Sequence, residues 1–198
     1  NNKLRNINIK QVVDDWCVGV DQQNTIQDTY GAIQDWDVSR ITNMYQLFRD
    51  KTYFNNDISN WNTSNVIWMN YMFQSASSFD QDLSQWMTSN VIHTANMFMG
   101  ASAFTSDLSK WDVSNVVMAS SMFMDATSFN SDISQWEMSN LVFGGNMLNG
   151  ATAFTQDVWC TPIWSQVVLL VGGKDGESIP PGNRVFCCNP GHFLDTLD

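Results

Sequence analysis

The sequence predicts an α/β repeat protein, a solenoid of about five 25-residue coils with short strands and a helical turn in each. Three series of residues predict it. Trp36, Trp61, Trp86, Trp111 and Trp136 recur at a constant step, as do Phe54, Phe79, Phe104, Phe129 and Phe154. Asp57, Asp82, Asp107, Asp132 and Asp157 keep the same step, and Ser39, Ser64, Ser89, Ser114 and Ser139 accompany them. A fixed period in this range marks a stack of supersecondary units, each unable to bury its apolar face alone. The chain divides into an N-terminal cap at 1–35, a repeat solenoid at 36–158 and a C-terminal cap or tail at 159–198.

The cap comes first because a bare stack end leaves apolar surface and open edges. Ile9, Val12, Val13 and Trp16 fall at helical spacing, so a short amphipathic helix is expected over 9–17. The polar stretch from Asp21 to Thr29 reads as a loop, and Tyr30-Gly31-Ala32-Ile33 leads to the first Trp.

Within a coil, Asp57-Ile58-Ser59-Asn60-Trp61 reads as a short strand and Met72 to Ala76 as a helical turn. Between them Val66-Ile67-Trp68-Met69 is ambiguous. Val66, Met69 and Phe73 suit a helix with Ser64 as N-cap. The equivalent segments at 91–94, 116–119 and 141–144 are β-rich and poor helix formers, which favours a strand followed by a helical turn. Gly100 and Gly150 stand in the turn before Phe, where positive φ is useful.

Four consecutive apolar residues cannot all face inward from a thin coil. A strand puts Ile67, Ile92, Val117 and Val142 opposite Val66 and Trp68; a helix points Trp68, Met118 and Phe143 away from Val66. Some apolar column therefore faces outward. Ile67, Trp68, Ile92, His93, Val117, Met118, Val142 and Phe143 are the interface candidates, since large apolar patches mark interaction surfaces. The alternative is that the cap or tail covers the column within one molecule.

Charge excludes several functions. The 198 residues hold 9 Lys and Arg against 20 Asp and Glu, a net charge of −11. Between Thr52 and Cys160 the single basic residue is Lys110. Clustered cations are needed to meet phosphates, so nucleic-acid binding is rejected, and docking on an anionic membrane is disfavoured. No apolar run reaches the length of a membrane span; the longest, Val167 to Val171, is short even for a strand.

Chemistry is sparse, and no cofactor is expected. Five stacked carboxylates, Asp57 to Asp157, either accept backbone N–H bonds in their own turns or hold Ca²⁺ between coils. The spacing of calcium-binding β-roll repeats is absent, which favours the first account. The Ser-Asn pairs suit turn or cap bonds. His93 and His192 lack zinc spacing, and no nucleophile–base set or phosphate loop is present, so no catalytic residue is assigned. Asn62-Thr63-Ser64 is the one N-glycosylation sequon.

The C-terminal segment breaks the period. Pro162 to Val171 reads as a strand sealing the last coil, Gly172 to Asn183 as a loop, and Arg184 to Cys188 as a second short strand. The four cysteines, Cys17, Cys160, Cys187 and Cys188, are compatible with disulfides and an oxidising compartment. Cys160 is expected to take one of the neighbours Cys187 and Cys188. Five coils at about 4.8 Å place Cys17 roughly 25 Å from the far end, beyond the about 7 Å a disulfide spans. Cys17 then meets a returning tail, pairs with another molecule, or stays free.

Phe-Asn-Asn-Asp-Ile-Ser-Asn-Trp-Asn-Thr-Ser-Asn-Val at 54–66 and Asp-Leu-Ser-Lys-Trp-Asp-Val-Ser-Asn-Val at 107–116 resemble the 25-residue repeat of the BspA-like leucine-rich-repeat surface proteins. That repeat runs approximately FN-x-DIS-x-WDVS-x-VT-x-M-x-x-MF-x-x-A. Trp16 and Tyr30-Gly31-x-Ile33-x-x-Trp36 resemble the lead-in to its first copy, so the likeness covers about residues 10–158. The resemblance implies a right-handed leucine-rich-repeat-like solenoid at the cell surface or outside the cell, with a role in adhesion, surface structure or protein contact and no enzymatic activity. The sequence departs from the repeat where Ile67-Trp68, Ile92-His93, Val117-Met118 and Val142-Phe143 replace the usual polar Thr-Asn. Cys187 to Phe193 resembles the start of extracellular cysteine-rich modules, which implies that the protein continues further. The expected partner is protein, copies of the same chain above all, in a fibre, sheath or surface layer. A monomeric adhesin module binding a host or matrix ligand is the alternative, and a Ca²⁺- or glycan-binding module comes third.

Overall fold

A computed structural model describes residues 3–156 and 158. The expected C-terminal strands, Asp157, Cys160, Cys187 and Cys188 lie outside the described residues.

Helix α1, Ile9–Trp16, turns Ile9, Val12, Val13 and Trp16 into the core. A Lys10–Asp14 ion pair (2.6 Å) and a Gln11–Asp15 bond (2.8 Å) run along its outer face at i,i+4. The segment expected as a loop at 21–29 is instead helix α2, Val20–Tyr30, although none of its residues is buried. Its polar residues are neutral helix formers, and no Pro or Gly interrupts them between Gly19 and Gly31. Gly31 ends the helix at φ +82°, a conformation that suits glycine. Ile26 and Tyr30 pack partly against the core, and a single 3-10 turn, Ile33–Asp35, delivers the chain to Trp36.

From there each 25-residue coil lies on the one before. Residues Asn43, Trp68, His93, Met118 and Phe143 form successive parallel bridges. These bridges are single-residue contacts, and no named strand occurs among the described residues. At the expected strand Asp57–Trp61 the chain makes a tight turn, with the Trp61 N–H donating to the Ile58 carbonyl at 3.1 Å. The cause is Asp57, whose Oδ1 accepts the Ser59 N–H at 2.9 Å. This Asx turn overrides the β preference of Ile and Trp.

The expected helical turn at 72–76 also takes another form. Met72, Gln74 and Ala76 donate back three residues, to Met69, Tyr71 and Phe73. The alternating N–H groups of Met69, Tyr71, Phe73 and Ser75 donate to the next coil, to the carbonyls of His93, Ala95, Met97 and Met99 at 2.7–3.0 Å. A helix would direct all of them along its own axis. Alternation requires a left-handed residue at two places per coil. They are Gln46, Tyr71, Asn96, Ser121 and Asn146 at the first, and Asp50, Ser75, Gly100, Asp125 and Gly150 at the second, with φ of 55–75°.

The core is a set of columns. Phe48, Phe73, Phe98 and Phe123 stack at 5.3–5.6 Å, and beside them Phe54, Phe79, Phe104, Phe129 and Phe154 at 5.8–6.2 Å. The two columns touch within each coil at 3.8–4.1 Å. The indoles form a third column, stacked at 6.1 Å for Trp36–Trp61 and 6.5 Å for Trp86–Trp111. Each buried indole N–H crosses to the preceding coil: Trp61 to the Ile33 carbonyl, Trp86 to Ile58, Trp111 to Leu83 and Trp136 to Leu108, at 2.8–3.1 Å.

Trp86→Phe removes one such donor and leaves the Ile58 carbonyl with the Trp61 N–H as its one remaining partner. The lost bond should cost about 1 kcal/mol in denaturant unfolding, beyond what the smaller ring loses in buried area. Ser121→Gly removes a side chain from a left-handed position and Gly100→Ala adds one, so the first should gain and the second lose about 1 kcal/mol in the same measurement.

Candidate interaction surface

The chain passes from Val66 to Met69 in the order in, out, out, in. Val66 and Met69 are fully buried, while Ile67 is half-buried and Trp68 is 43% exposed. Neither the alternation of a strand nor the pitch of a helix gives that order. It arises because this segment is a corner, pinned by one bridge. The Ile67 and Trp68 N–H groups both reach the Thr42 carbonyl, at 2.8 and 3.3 Å, and those of Ile92 and His93 both reach Ile67.

Two columns therefore face outward side by side. One holds Ile67, Ile92, Val117 and Val142; the other holds Trp68, His93, Met118 and Phe143. Val142 and Phe143 are 53% and 55% exposed. The Trp68 and His93 rings lie face to face at 4.2 Å and 13°, and burial lowers the His93 pKa, which favours the neutral ring. Coil 1 differs, with Thr42-Asn43 at these two places. There the cap bonds to them: the Asn6 side chain accepts the Thr42 and Asn43 N–H groups and donates to the Thr42 hydroxyl.

Along one edge of the strip runs a rail of asparagines. The amides of Asn65, Asn90, Asn115 and Asn140 each donate to the carbonyl of Ser39, Ser64, Ser89 and Ser114 in the preceding coil, at 2.7–2.8 Å. On the other side Tyr45 and Tyr71 meet edge to face, with the Arg49 guanidinium 5.8 Å above the Tyr71 ring.

The acidic column is spent inside its own turns. Asp57, Asp82, Asp107 and Asp132 each accept the N–H of the Ser two residues on, at 2.8–2.9 Å. That bond is the main cause holding the Asp57 and Asp107 carboxyls below the usual range. Among the described residues no group of three His, Cys, Asp or Glu side chains could hold a metal. Asn62 is exposed, and its Oδ1 accepts from the Ser64 hydroxyl (2.7 Å) and N–H (3.1 Å). Asp112 takes the same two bonds from Ser114, which hold its pKa down.

Among the described residues Cys17 makes no disulfide, and its thiol lies beside a cleft shared with Trp16, Val20, Lys51 and Tyr53. Burial raises its pKa, and the nearby Lys51 ammonium is held by Asp14 at 2.8 Å, so the thiol is not activated as a nucleophile. No helix among the described residues is long and apolar enough to cross a membrane.

The lowered aspartates set an acid limb. Their folded pKa values lie below the unfolded value of about 3.9, so their contribution is present above it and is lost as pH falls through the folded values. Asp112→Asn should keep the turn, as Asn62 does in coil 2. Its stability at neutral pH should match the parent's, and its loss between about pH 4 and pH 2 should be smaller, as read from denaturation midpoints.

Residues 20–117 and 93–167 match the model of a family described as Mycoplasma protein of unknown function, DUF285. No curated protein and no solved structure matches the chain. The two matched stretches overlap within the repeats and together take in all five coils and helix α2, so the chain belongs to the DUF285 family.

Proposed function

We propose that this chain is a non-catalytic surface repeat protein that works by contact with other proteins, copies of itself first, through the strip of coils 2–5. The observation that carries the reading is the strip's composition. Residues 65–70, 90–95, 115–120 and 140–145 contain no Asp, Glu, Lys or Arg, in a chain of net charge −11. Apolar side chains, with His93 among them, flank one another there across four coils, exposed at Trp68, Val142 and Phe143 and half-buried between, and contiguous apolar surface marks a contact site.

The resemblance of the repeat to the BspA-like surface proteins supports a right-handed leucine-rich-repeat-like solenoid, a location at or outside the cell surface, and the absence of chemistry. The stacking of Trp, Phe and Asn columns at 25-residue steps fits that architecture. An adhesin that takes a host or matrix protein would use the same strip, and the exposed Trp68 and Phe143 favour it as the second reading.

A glycan is less well served. Sugars stack on open ring faces, and His93 covers one face of Trp68 at 4.2 Å. Calcium is less well served too, because the Asp oxygens already accept backbone N–H groups.

Sedimentation of the whole protein against concentration tests the reading. Association should weaken at least tenfold in Trp68→Ser and Phe143→Ser, with melting temperatures near the parent's. A drop of many degrees without change in association would make the strip part of the core and remove the proposal.

A further inference from the structure

The strip is bounded at both ends by charge, and the two ends differ. Arg40 stands in coil 1 at the head of the asparagine rail, one coil before Asn65. Arg40 and Lys3 lie close enough to Asp37 to act on its carboxyl. Residues 1–51 carry six Lys and Arg against seven acids, whereas 52–156 carry Lys110 alone against eight. Asp112 and Glu137 sit three residues before Asn115 and Asn140, on the same edge of coils 4 and 5; Asp37 holds that place in coil 1, where Arg40 and Lys3 offset it. The head is near neutral with cations beside the strip, and the body is acidic.

We propose that two copies of the chain meet strip to strip and head to tail, as a closed twofold pair. The inference rests on the strip being the contact surface and names its occupant and orientation. Two strips can face each other in two ways that keep coil against coil. With stacks parallel, the half-turn runs along the stack, each column meets the other column, and the edge with Arg40, Asp112 and Glu137 lies away from the same edge of the second copy. With stacks antiparallel, coil 2 faces coil 5 and coil 3 faces coil 4, and the Arg40 end approaches the acidic coils of the second copy. Charge complementarity selects the second arrangement.

A half-turn about an axis lying in the face and across the stack leaves each column opposite itself. Trp68 then packs on Phe143 of the second copy, His93 on its Met118, Ile67 on its Val142 and Ile92 on its Val117. The asparagine rails lie side by side, and no charged residue of these rows enters the contact. Each copy offers the same patch, so the pair closes and consumes both strips. A fibre then requires some other surface as well. Seven apolar side chains, His93 and a rail are fewer than the roughly 20–30 residues a side of a standard interface. The expected affinity is micromolar, about 10⁻⁶ M.

A charge exchange across the pair tests it. Ile92→Lys and Val117→Glu variants of the full chain are each sedimented alone, then mixed in equal amounts, with thermal melts as the folding control. Each alone should pair at least tenfold more weakly than the parent, because one charge faces an apolar residue. The mixture should recover pairing, since the ammonium introduced in one variant then faces the carboxylate introduced in the other. Weakening without recovery in the mixture would overturn the antiparallel arrangement and leave the strip as a contact surface. A parent that stays monomeric at about 1 mM, far above the expected micromolar constant, would overturn pairing of copies altogether. Pairing of the parent that neither variant weakens would overturn both this inference and the strip reading on which it rests.

Discussion

The structure depends on hydrogen bonds that run along the stack rather than within a coil. Met69, Tyr71, Phe73 and Ser75 each donate to a carbonyl 24 residues further on, and Thr94, Asn96, Phe98 and Gly100 do the same one coil later. The indole N–H groups of Trp61, Trp86, Trp111 and Trp136 fix the same register from the core side, each reaching a carbonyl 28 residues back. Together they allow one alignment of coil on coil. A shift by one residue would leave buried donors without acceptors, and an unmade buried bond costs more than a made one gains. This is why Trp lies over Trp and Phe over Phe, and why the chain holds a sheet-like stack without sheet strands.

The same register decides what remains on the surface. The polar side chains of the repeat are consumed by the stack itself: Asp57 and its equivalents by their own turns, and Asn90 and its equivalents by the preceding coil. Thr63 and Thr88 are buried and donate to the Met87 and Asp112 carbonyls of the next coil. Acceptors and donors that could greet a polar ligand are thus largely spoken for. What the corner at 67–68 leaves outward is apolar, and it is repeated. That distribution supports the function by contact proposed above.

Much of this is legible in the residues, and the failures have physical causes. The period of Trp, Phe and Asp is visible because each stacked position tolerates few side chains. The apolar spacing of α1 is visible because one face is buried. Helix α2 escapes a reading by periodicity since only Ile26 and Tyr30 of it lean on the core, too few to make an apolar stripe; the glycines at its two ends mark it. The segment 57–61 resembles a strand because Ile58 and Trp61 are large, yet the Asp-x-Ser within it is a turn signal of greater weight. The column Phe48 to Phe123 reads as part of a helical turn, though its 25-residue step is as plain as that of Phe54. Either regular geometry at 66–69 turns one apolar column outward, and the corner turns out two. The asparagine rail reads as local turn bonding because nothing in a single coil reveals a bond to its neighbour.

Coil 1 shows that the fold itself does not demand the apolar strip. Thr42-Asn43 occupies the corner there, and Asn43 bridges to Trp68 as well as Trp68 bridges to His93. Both residues are useful where they stand, since Asn6 of the cap bonds to them. A polar pair at 67–68, 92–93, 117–118 and 142–143 would make the same backbone bonds and stay hydrated. Side chains that are 43–55% exposed, as Trp68, Val142 and Phe143 are, leave much of their apolar surface in water, and the hydrophobic gain scales with the area removed from it. Folding alone therefore gives little reason for their choice, and a contact that buries the remainder gives a better one. The strip also begins where the cap's reach ends, at coil 2. Among the described residues the molecule is divided between an end where the cap bonds to coil 1 and a flank whose apolar edges the proposed contact would cover.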